Sequence, residues 1–306
     1  MREHTLRHTI ATGAFTLPLT VVIAAAAWAV SARDSAAAWL GFGGALVLTY
    51  MLMELNNRNQ LLRIRSRMVS STFLLTLAAC PWLHAALPLY LPTACLAGVY
   101  FLLFSAYQEK SASGRVFYAF VLIGIAAVCL PPLACLVPLL LFALLVQLRT
   151  LSWRTFFGAV FGFMLPVIYY VAWTLWEGSF PDALMPLCDF RPCLPAPENF
   201  TYAQMANACW LLFLTLLGLL HYYRTNFNDK IRVRMFFYVI IEVEFALWAG
   251  LVFFPQHFDA LFLLLLLNTS PLTAHYFALA RGRWLMTAWF VFNLLGLLAL
   301  ALYNYG

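Results

Sequence analysis

Long apolar segments alternate with short polar breaks along the whole chain. Each segment has roughly 16 to 22 residues, close to the roughly 20 that cross the hydrocarbon core of a bilayer as a helix. This pattern predicts an all-α fold, a polytopic transmembrane helical bundle of about eleven spans that forms a single integral membrane domain over residues 1–306. The fifth and sixth segments meet at Pro131 and Pro132, so they are either two tight spans or a hairpin that enters and returns. The predicted spans are residues 10–31, 37–54, 69–86, 91–107, 116–131, 133–148, 155–176, 205–222, 235–254, 259–279 and 284–304.

The composition excludes a soluble protein. Apolar residues make up 64% of the chain and charged residues 10%, which leaves too little polar surface to face water. The net charge of +6 does not indicate nucleic-acid binding, because no soluble segment approaches the length of a domain. The first apolar run, residues 10–30, is longer than the core of a signal peptide and predicts an uncleaved first span.

The basic residues predict the orientation of the chain. Lys and Arg stay on the cytoplasmic side of short loops. With a cytoplasmic N-terminus, 16 of the 18 basic residues fall inside, and only Arg33 and Arg191 fall outside. Eleven spans then place the C-terminus in the periplasm. We therefore expect a multi-pass protein of the bacterial inner membrane.

The loop after the second span has a second copy. The segment NQLLRIRSRM, Asn59–Met68, aligns without a gap on NFNDKIRVRM, Asn226–Met235, with one Asn, one Ile, one Met and three basic positions shared. The copies predict two parallel five-helix repeats, residues 1–131 and 155–306, joined by the sixth span. The alternative is that basic loops resemble one another because positive residues belong inside.

These two loops also form the first candidate site. If the halves are related by a two-fold axis, the two basic clusters converge, and guanidinium groups match phosphate oxygens. The alternative is that the charges only set the topology and contact lipid headgroups. The residues of this predicted lipid or substrate site are Arg58, Arg63, Arg65, Arg67, Lys230, Arg232 and Arg234.

A second candidate site lies inside the apolar runs. Ionisable side chains are costly in hydrocarbon and usually face a protein interior or a watery cavity. Glu242 and Glu244 point about 200° apart on a helix, so only one of them is expected to line such a cavity. Pro271 is expected to bend or break its helix, as in helices that line cavities. The alternative is hydrogen bonding that only locks the bundle. The predicted midplane polar residues are Glu242, Glu244, Asn268, Ser270, His275 and Asn293.

The one long outside loop, residues 177–204, contains two nearby cysteines, Cys188 and Cys193. On an oxidising face they either form a disulfide or remain unpaired thiols. No further ligand residues lie beside them in the sequence, so neither a metal site nor a cofactor is predicted.

The segment GRVFYAFVLIGIAAVCLPPLACLVPLLLFALLVQLRTLSWRTFFGAVFGFMLP, Gly114–Pro166, resembles the middle region of GT-C glycosyltransferases, polytopic enzymes that use polyprenyl-phosphate sugars. In that family a short span, a break, a second short span, a basic turn and a long span follow in this order. The resemblance implies a catalytic acid in the first outside loop, which by position is Asp34. That loop is much shorter here, and the lysine often found near the double-proline break is absent.

The segment ELNNRNQLLRIRSRMVSS, which begins at Glu54, is similar to a family of uncharacterised polytopic membrane proteins of Bacteroidetes. That similarity implies a membrane fold and brings no assigned activity.

Three functional classes follow from these patterns. The first is an inner-membrane protein of GT-C-like architecture that binds or processes a polyprenyl-phosphate-linked saccharide or another envelope lipid, as the resemblance implies. The second is a transporter or flippase with a polar midplane site in spans nine to eleven. The third is a structural membrane partner without chemistry. The expected partners are anionic or polyprenyl-phosphate membrane lipids, with a protein partner left open.

Overall fold

The structure, a computed structural model, describes residues 11–13, 15–31, 35–178, 200–280 and 284–305. All regular secondary structure in these residues is helical, which confirms the all-α prediction. The α-helices are α1 (Thr16–Ser31), α2 (Ala36–Asn59), α3 (Met68–Ala78), α4 (Leu87–Ser105), α5 (Ser113–Cys129), α6 (Leu136–Val146), α7 (Trp153–Trp176), α8 (Tyr202–Thr225), α9 (Ile231–Phe253), α10 (Phe258–Leu279) and α11 (Trp284–Tyr305).

Several of these helices have the length and composition of membrane spans. Six segments within the described ranges are long and apolar enough to cross a bilayer: Ala36–Asn59, Leu87–Ser105, Trp153–Trp176, Tyr202–Asn228, Ile231–Phe253 and Pro255–Leu279. Helices α1, α3, α5 and α6 are apolar but shorter. The chain is therefore a helical, membrane-embedded protein, and the count of eleven crossings stays a prediction.

The chain forms two compact units that are interleaved in sequence. Unit one contains Met1–Tyr90, Phe200–Lys230 and Leu266–Gly306. Unit two contains Leu91–Asn199 and Ile231–Leu265. These limits differ from those of the predicted repeat halves, because unit one includes segments from both ends of the chain.

In unit one, α1 and α2 pack against α3, and α8 packs against α11. At one end of the unit, the His84 ring stacks on Trp28 with 3.5 Å between ring centroids. The Tyr305 hydroxyl, at the end of α11, donates to the Ala78 carbonyl at 2.8 Å. Close approach of α8 and α10 depends on Gly218, because a Cβ at this position would lie 3.0 Å from the Leu272 backbone. Ring stacking, a hydrogen bond to the backbone and a glycine at a helix contact thus hold the helices of this unit together.

In unit two, α5 and α7 pack along each other more closely than any other pair of helices in the described residues. Two glycines of α7, Gly158 and Gly162, lie one turn apart and face α5. A Cβ at Gly158 would lie 3.3 Å from the Ser113 carbonyl oxygen, and one at Gly162 would collide with that of Phe117. Small residues four apart allow helix backbones in membranes to approach in this way.

Candidate functional site

A buried carboxylate joins the two basic loops within unit one. The Asp229 side chain is 1% exposed and follows the short 3-10 turn after α8. One of its oxygens accepts a hydrogen bond from Arg63 Nε, in the loop between α2 and α3. The other oxygen lies 3.2 Å from Nε2 of His275 on α10. Arg63 Nη2 also donates to the Thr225 carbonyl at 2.9 Å. Three segments that are distant in sequence therefore meet at one carboxylate.

The partners of Asp229 keep this carboxyl group ionised. Burial raises its pKa, because a charge is poorly solvated inside a protein, but hydrogen bonds and positive charge from His275 and Arg63 lower it more. The net result is a pKa below the ordinary value. Asp229 is therefore a fixed negative charge between basic segments at neutral pH.

The first basic loop, residues 60–67, is held in shape by an asparagine at the end of α2. Asn56 Nδ2 donates to the Ser66 carbonyl at 2.9 Å, and its Oδ1 accepts from the Leu62 N–H at 3.2 Å. One buried side chain thus connects both ends of the loop. Gln60 begins the loop with a φ of 51°, in the left-handed region, where the helix ends and the chain reverses. The asparagine of this segment has a structural role that its polarity alone did not indicate.

Two of the predicted basic residues, Arg63 and Lys230, make contacts between the two loops, and Arg65 and Arg67 lie in the first loop. Lys230 Nζ donates to the Gln60 side chain at 3.0 Å, so the second loop contacts the first through Lys230 as well as Asp229. Arg65 is exposed and forms no ion pair with any residue that the structure describes. Arg67 is exposed at the start of α3. Together with Arg63, whose side chain is 29% exposed, these groups concentrate positive charge at one end of unit one.

The other three basic residues of the prediction have different surroundings. Arg58 pairs with Glu54 one turn earlier on α2, with 2.7 Å between Nε and Oε1. Arg232 belongs to unit two, where its guanidinium lies 5.2 Å from the centroid of the Phe236 ring. Arg234 lies one turn into the same helix and is half-buried. Of the seven predicted residues, Arg63 and Lys230 thus contact the opposite loop, Arg65 and Arg67 are exposed in the first loop, and the other three lie elsewhere.

The polar residues around Pro271 form hydrogen bonds within and between helices of unit one. Helix α10 continues through Pro271 without a break. The proline has no N–H for the Leu267 carbonyl, and the Ser270 hydroxyl donates to that carbonyl instead, at 2.6 Å. Thr72 on α3 lies 3.4 Å from the Ser270 carbonyl. These contacts favour the bundle-locking interpretation for Ser270, and His275 belongs to the Asp229 cluster.

The two glutamates of the midplane prediction belong to unit two. Glu242 accepts a hydrogen bond from the side-chain amide of Gln147. Glu244 is buried and accepts one from Trp248 Nε1 at 3.0 Å. Asn268 and Asn293 are both buried in unit one. The six predicted residues are thus divided between the two units, and Glu242 and Glu244 have different hydrogen-bond partners.

Several predictions fall on residues that the structure does not describe. These are the catalytic acid Asp34, the disulfide candidates Cys188 and Cys193, and residues 179–199 of the outside loop 177–204. Among the described residues no group of three or more His, Cys, Asp or Glu side chains is arranged to hold a metal ion.

Asp229 is the functional candidate that the sequence analysis missed. It is the only acidic residue between Arg224 and Arg234, a segment with four basic residues. A lone acid within a basic loop is a usable signal, because an unpaired acid has no topological reason to be there. The aligned position in the first loop is Leu62, so the repeat alignment did not draw attention to it.

Comparison with known proteins gives no relative for this chain. No protein family, no curated protein and no solved structure matches it.

Proposed function

We propose that this membrane-embedded protein binds a lipid that carries a phosphate, with the headgroup at the two joined basic loops of unit one. The observation that supports this function is the buried Asp229, which holds Arg63 and the loop of Lys230 together although both loops are basic. Burial of a charge is unfavourable in free energy, and basic loops that only set the topology do not require a buried acid that holds them side by side. Arg65, in the first of these loops, is exposed and has no ion pair among the described residues, and guanidinium forks bind phosphate oxygens with two hydrogen bonds.

The membrane arrangement belongs to the same proposal. Eleven spans with a cytoplasmic N-terminus place both loops on the cytoplasmic face of a bacterial inner membrane, where 16 of the 18 basic residues then lie. Anionic headgroups are available at that surface. The parallel repeats, residues 1–131 and 155–306, would account for the in-register Asn, Ile and Met of the two loops.

Two lipid classes present the required phosphate. A polyprenyl phosphate that carries a saccharide is the class implied by the resemblance to GT-C enzymes, and a glycerophospholipid is the other. Transport through a midplane site is less well supported, because Glu242 and Glu244 already have hydrogen-bond partners within unit two. A purely structural role predicts that the loops show no preference for phosphate.

The test removes the exposed charges and measures lipid affinity. The double variant Arg65→Gln/Lys230→Gln is expected to bind dioctanoyl phosphatidic acid about 10- to 30-fold more weakly, since each cation near an anionic headgroup contributes about 1 kcal/mol. Binding is measured at equilibrium with the full chain in a mild detergent. Added salt should reduce the difference, because the interaction is electrostatic.

The matched control is Arg149→Gln/Arg154→Gln, which removes the same charge from another basic loop whose arginines are also exposed. We expect its affinity for phosphatidic acid to stay within twofold of the unchanged protein. Equal weakening by both double variants would mean a general charge effect and would remove the support for a site at the joined loops.

A further inference from the structure

A deep cavity lies inside unit one, among α1, α3, α8, α10 and α11. Its volume is about 420 Å³, and its lining is almost entirely apolar. Ligand sites have volumes of this order and linings of this kind.

The cavity begins next to the end of the first basic loop. Met68 lines it and follows Arg67, the last residue of the first loop. On α10, its lining residues Thr273 and Phe277 lie at the same depth as His275, the partner of Asp229, but on the opposite face of the helix, because residues two apart point about 200° apart. Along α3 the lining continues to Thr76, eight residues or about 12 Å further from the loop. A lipid with its phosphate at the loops would thus have its chain at the entrance of the cavity.

The cavity is open on the side of α1. Its lining residues Phe15 and Leu19 are 85% and 61% exposed. In a membrane-embedded protein this side meets hydrocarbon rather than water. A chain can therefore enter sideways from the bilayer while its headgroup stays at the surface.

Ser71 is one of the polar residues that line the cavity. The Ser71 side chain is 1% exposed and lines the cavity one turn from the loop end of α3. Its hydroxyl has no hydrogen-bond partner among the residues that the structure describes. A buried hydroxyl without a partner is costly, so a ligand oxygen at this depth would be stabilised. In a glycerolipid the ester carbonyl lies just below the phosphate, whereas a prenyl chain has no oxygen there.

We infer that this cavity binds one acyl chain of an ester-linked glycerophospholipid, with the Ser71 hydroxyl donating to the ester carbonyl. The inference rests on the proposed function, which places the phosphate at the loops, and selects the glycerophospholipid over the polyprenyl phosphate. The apolar lining takes the chain, and the basic loops take the headgroup.

Three probes separate the chemical features of the lipid. Dioctanoyl phosphatidic acid has a phosphate and esters, dioctanoylglycerol has the esters alone, and farnesyl phosphate has a phosphate without an ester. All are titrated into the full chain in the same detergent. We expect Ser71→Ala to weaken the two ester probes about three- to tenfold, as the loss of one hydrogen bond would, and to leave farnesyl phosphate within twofold.

Cavity-filling variants test the place of the chain. Leu214→Trp puts a large ring into the cavity and is expected to weaken both ester probes at least about tenfold. Leu216→Trp adds the same ring to the exposed side of the same helix and should leave affinity within twofold. If Leu214→Trp does not fold, Leu19→Trp at the open side of the cavity is used instead, because Leu19 is exposed and tolerates a larger side chain. Its control is Val22→Trp, an exposed position outside the cavity.

The outcomes distinguish this inference from the proposed function. If the cavity variants bind like their controls while Arg65→Gln/Lys230→Gln loses phosphatidic acid, the cavity does not hold the chain and the headgroup site stands. If Ser71→Ala weakens farnesyl phosphate as much as the ester probes, the ester assignment is wrong. Weakening by the cavity variants without any effect of the loop variant would overturn the proposed function, and binding of none of the probes would overturn both.

Discussion

Replacement of Asp229 by Asn is expected to lower the thermal unfolding midpoint by roughly 5 to 10 °C in mild detergent at pH 7. The carboxylate is 1% exposed and pairs with both Arg63 and His275. Removal of one member of a buried ion pair leaves the other without its counter-charge, which costs about 3 kcal/mol or more. Asn keeps the shape of the side chain and one acceptor oxygen, so the decrease in the unfolding midpoint reports the loss of the charge rather than a change in side-chain volume. Circular dichroism or a thiol-independent melting assay gives the midpoint.

The pH dependence of this variant follows from the lowered pKa of Asp229. Burial raises the pKa, but His275 and Arg63 lower it more, so the folded value lies below the unfolded one. A group with a lowered folded pKa contributes its full stabilisation above the unfolded pKa of about 3.9 and loses it as the pH falls through the folded value. The difference between Asp229→Asn and the unchanged protein should therefore shrink below about pH 4.

A double-mutant cycle measures the interaction energy between Arg63 and Asp229. We expect a coupling energy of about 2 kcal/mol between Arg63→Met and Asp229→Asn. The control cycle uses Glu54→Gln and Arg58→Met, an ion pair on α2 in which the arginine side chain is 69% exposed. Exposed pairs of this kind contribute about 0 to 1 kcal/mol. Equal coupling in the two cycles would show that Asp229 does not hold the loops together.

Helix positions were predictable because they depend on local chemistry. The tenth predicted span, residues 259–279, is the observed Phe258–Leu279, since an apolar run between a proline and an arginine leaves little choice of ends. The third predicted span, residues 69–86, is instead the shorter helix Met68–Ala78 followed by the 3-10 turn Pro81–Leu83. Hydropathy continues through this break, whereas Pro81 has no N–H to extend the helix.

The contacts that build the site were not predictable in the same way. Arg63 and Asp229 are 166 residues apart, and Asp229 and His275 are 46 apart. The sequence predicts Arg63 in a basic loop and His275 within a span, but pairing over such separations depends on how helices pack. The loop NNRNQLLRIRSRM illustrates both cases. Its arginines were expected from topology, and the role of Asn56 as a bridge across the loop required the structure.

Close packing of α5 on α7 gives the second large expected effect. Gly162→Ala should lower the unfolding midpoint by several degrees, because the added Cβ collides with the backbone carbonyl of Phe117, which cannot move without shifting the helix. Overpacking of this kind costs about 1 to 3 kcal/mol. Phe120 also lies against this position, with its Cβ 3.2 Å from the added atom, so no rotation of one side chain relieves the collision.

The glycines of the chain provide a graded series for this prediction. Gly158→Ala, with 3.3 Å to the nearest carbonyl oxygen, should cost less than Gly162→Ala. Gly43→Ala on α2 meets nothing within 4 Å and should be neutral or slightly stabilising, because Ala favours a helix over Gly by about 1 kcal/mol. The order Gly162, Gly158, Gly43 separates close packing from helix propensity, since propensity alone makes all three substitutions stabilising. Equal midpoints for the three variants would mean that α5 and α7 do not need this close approach.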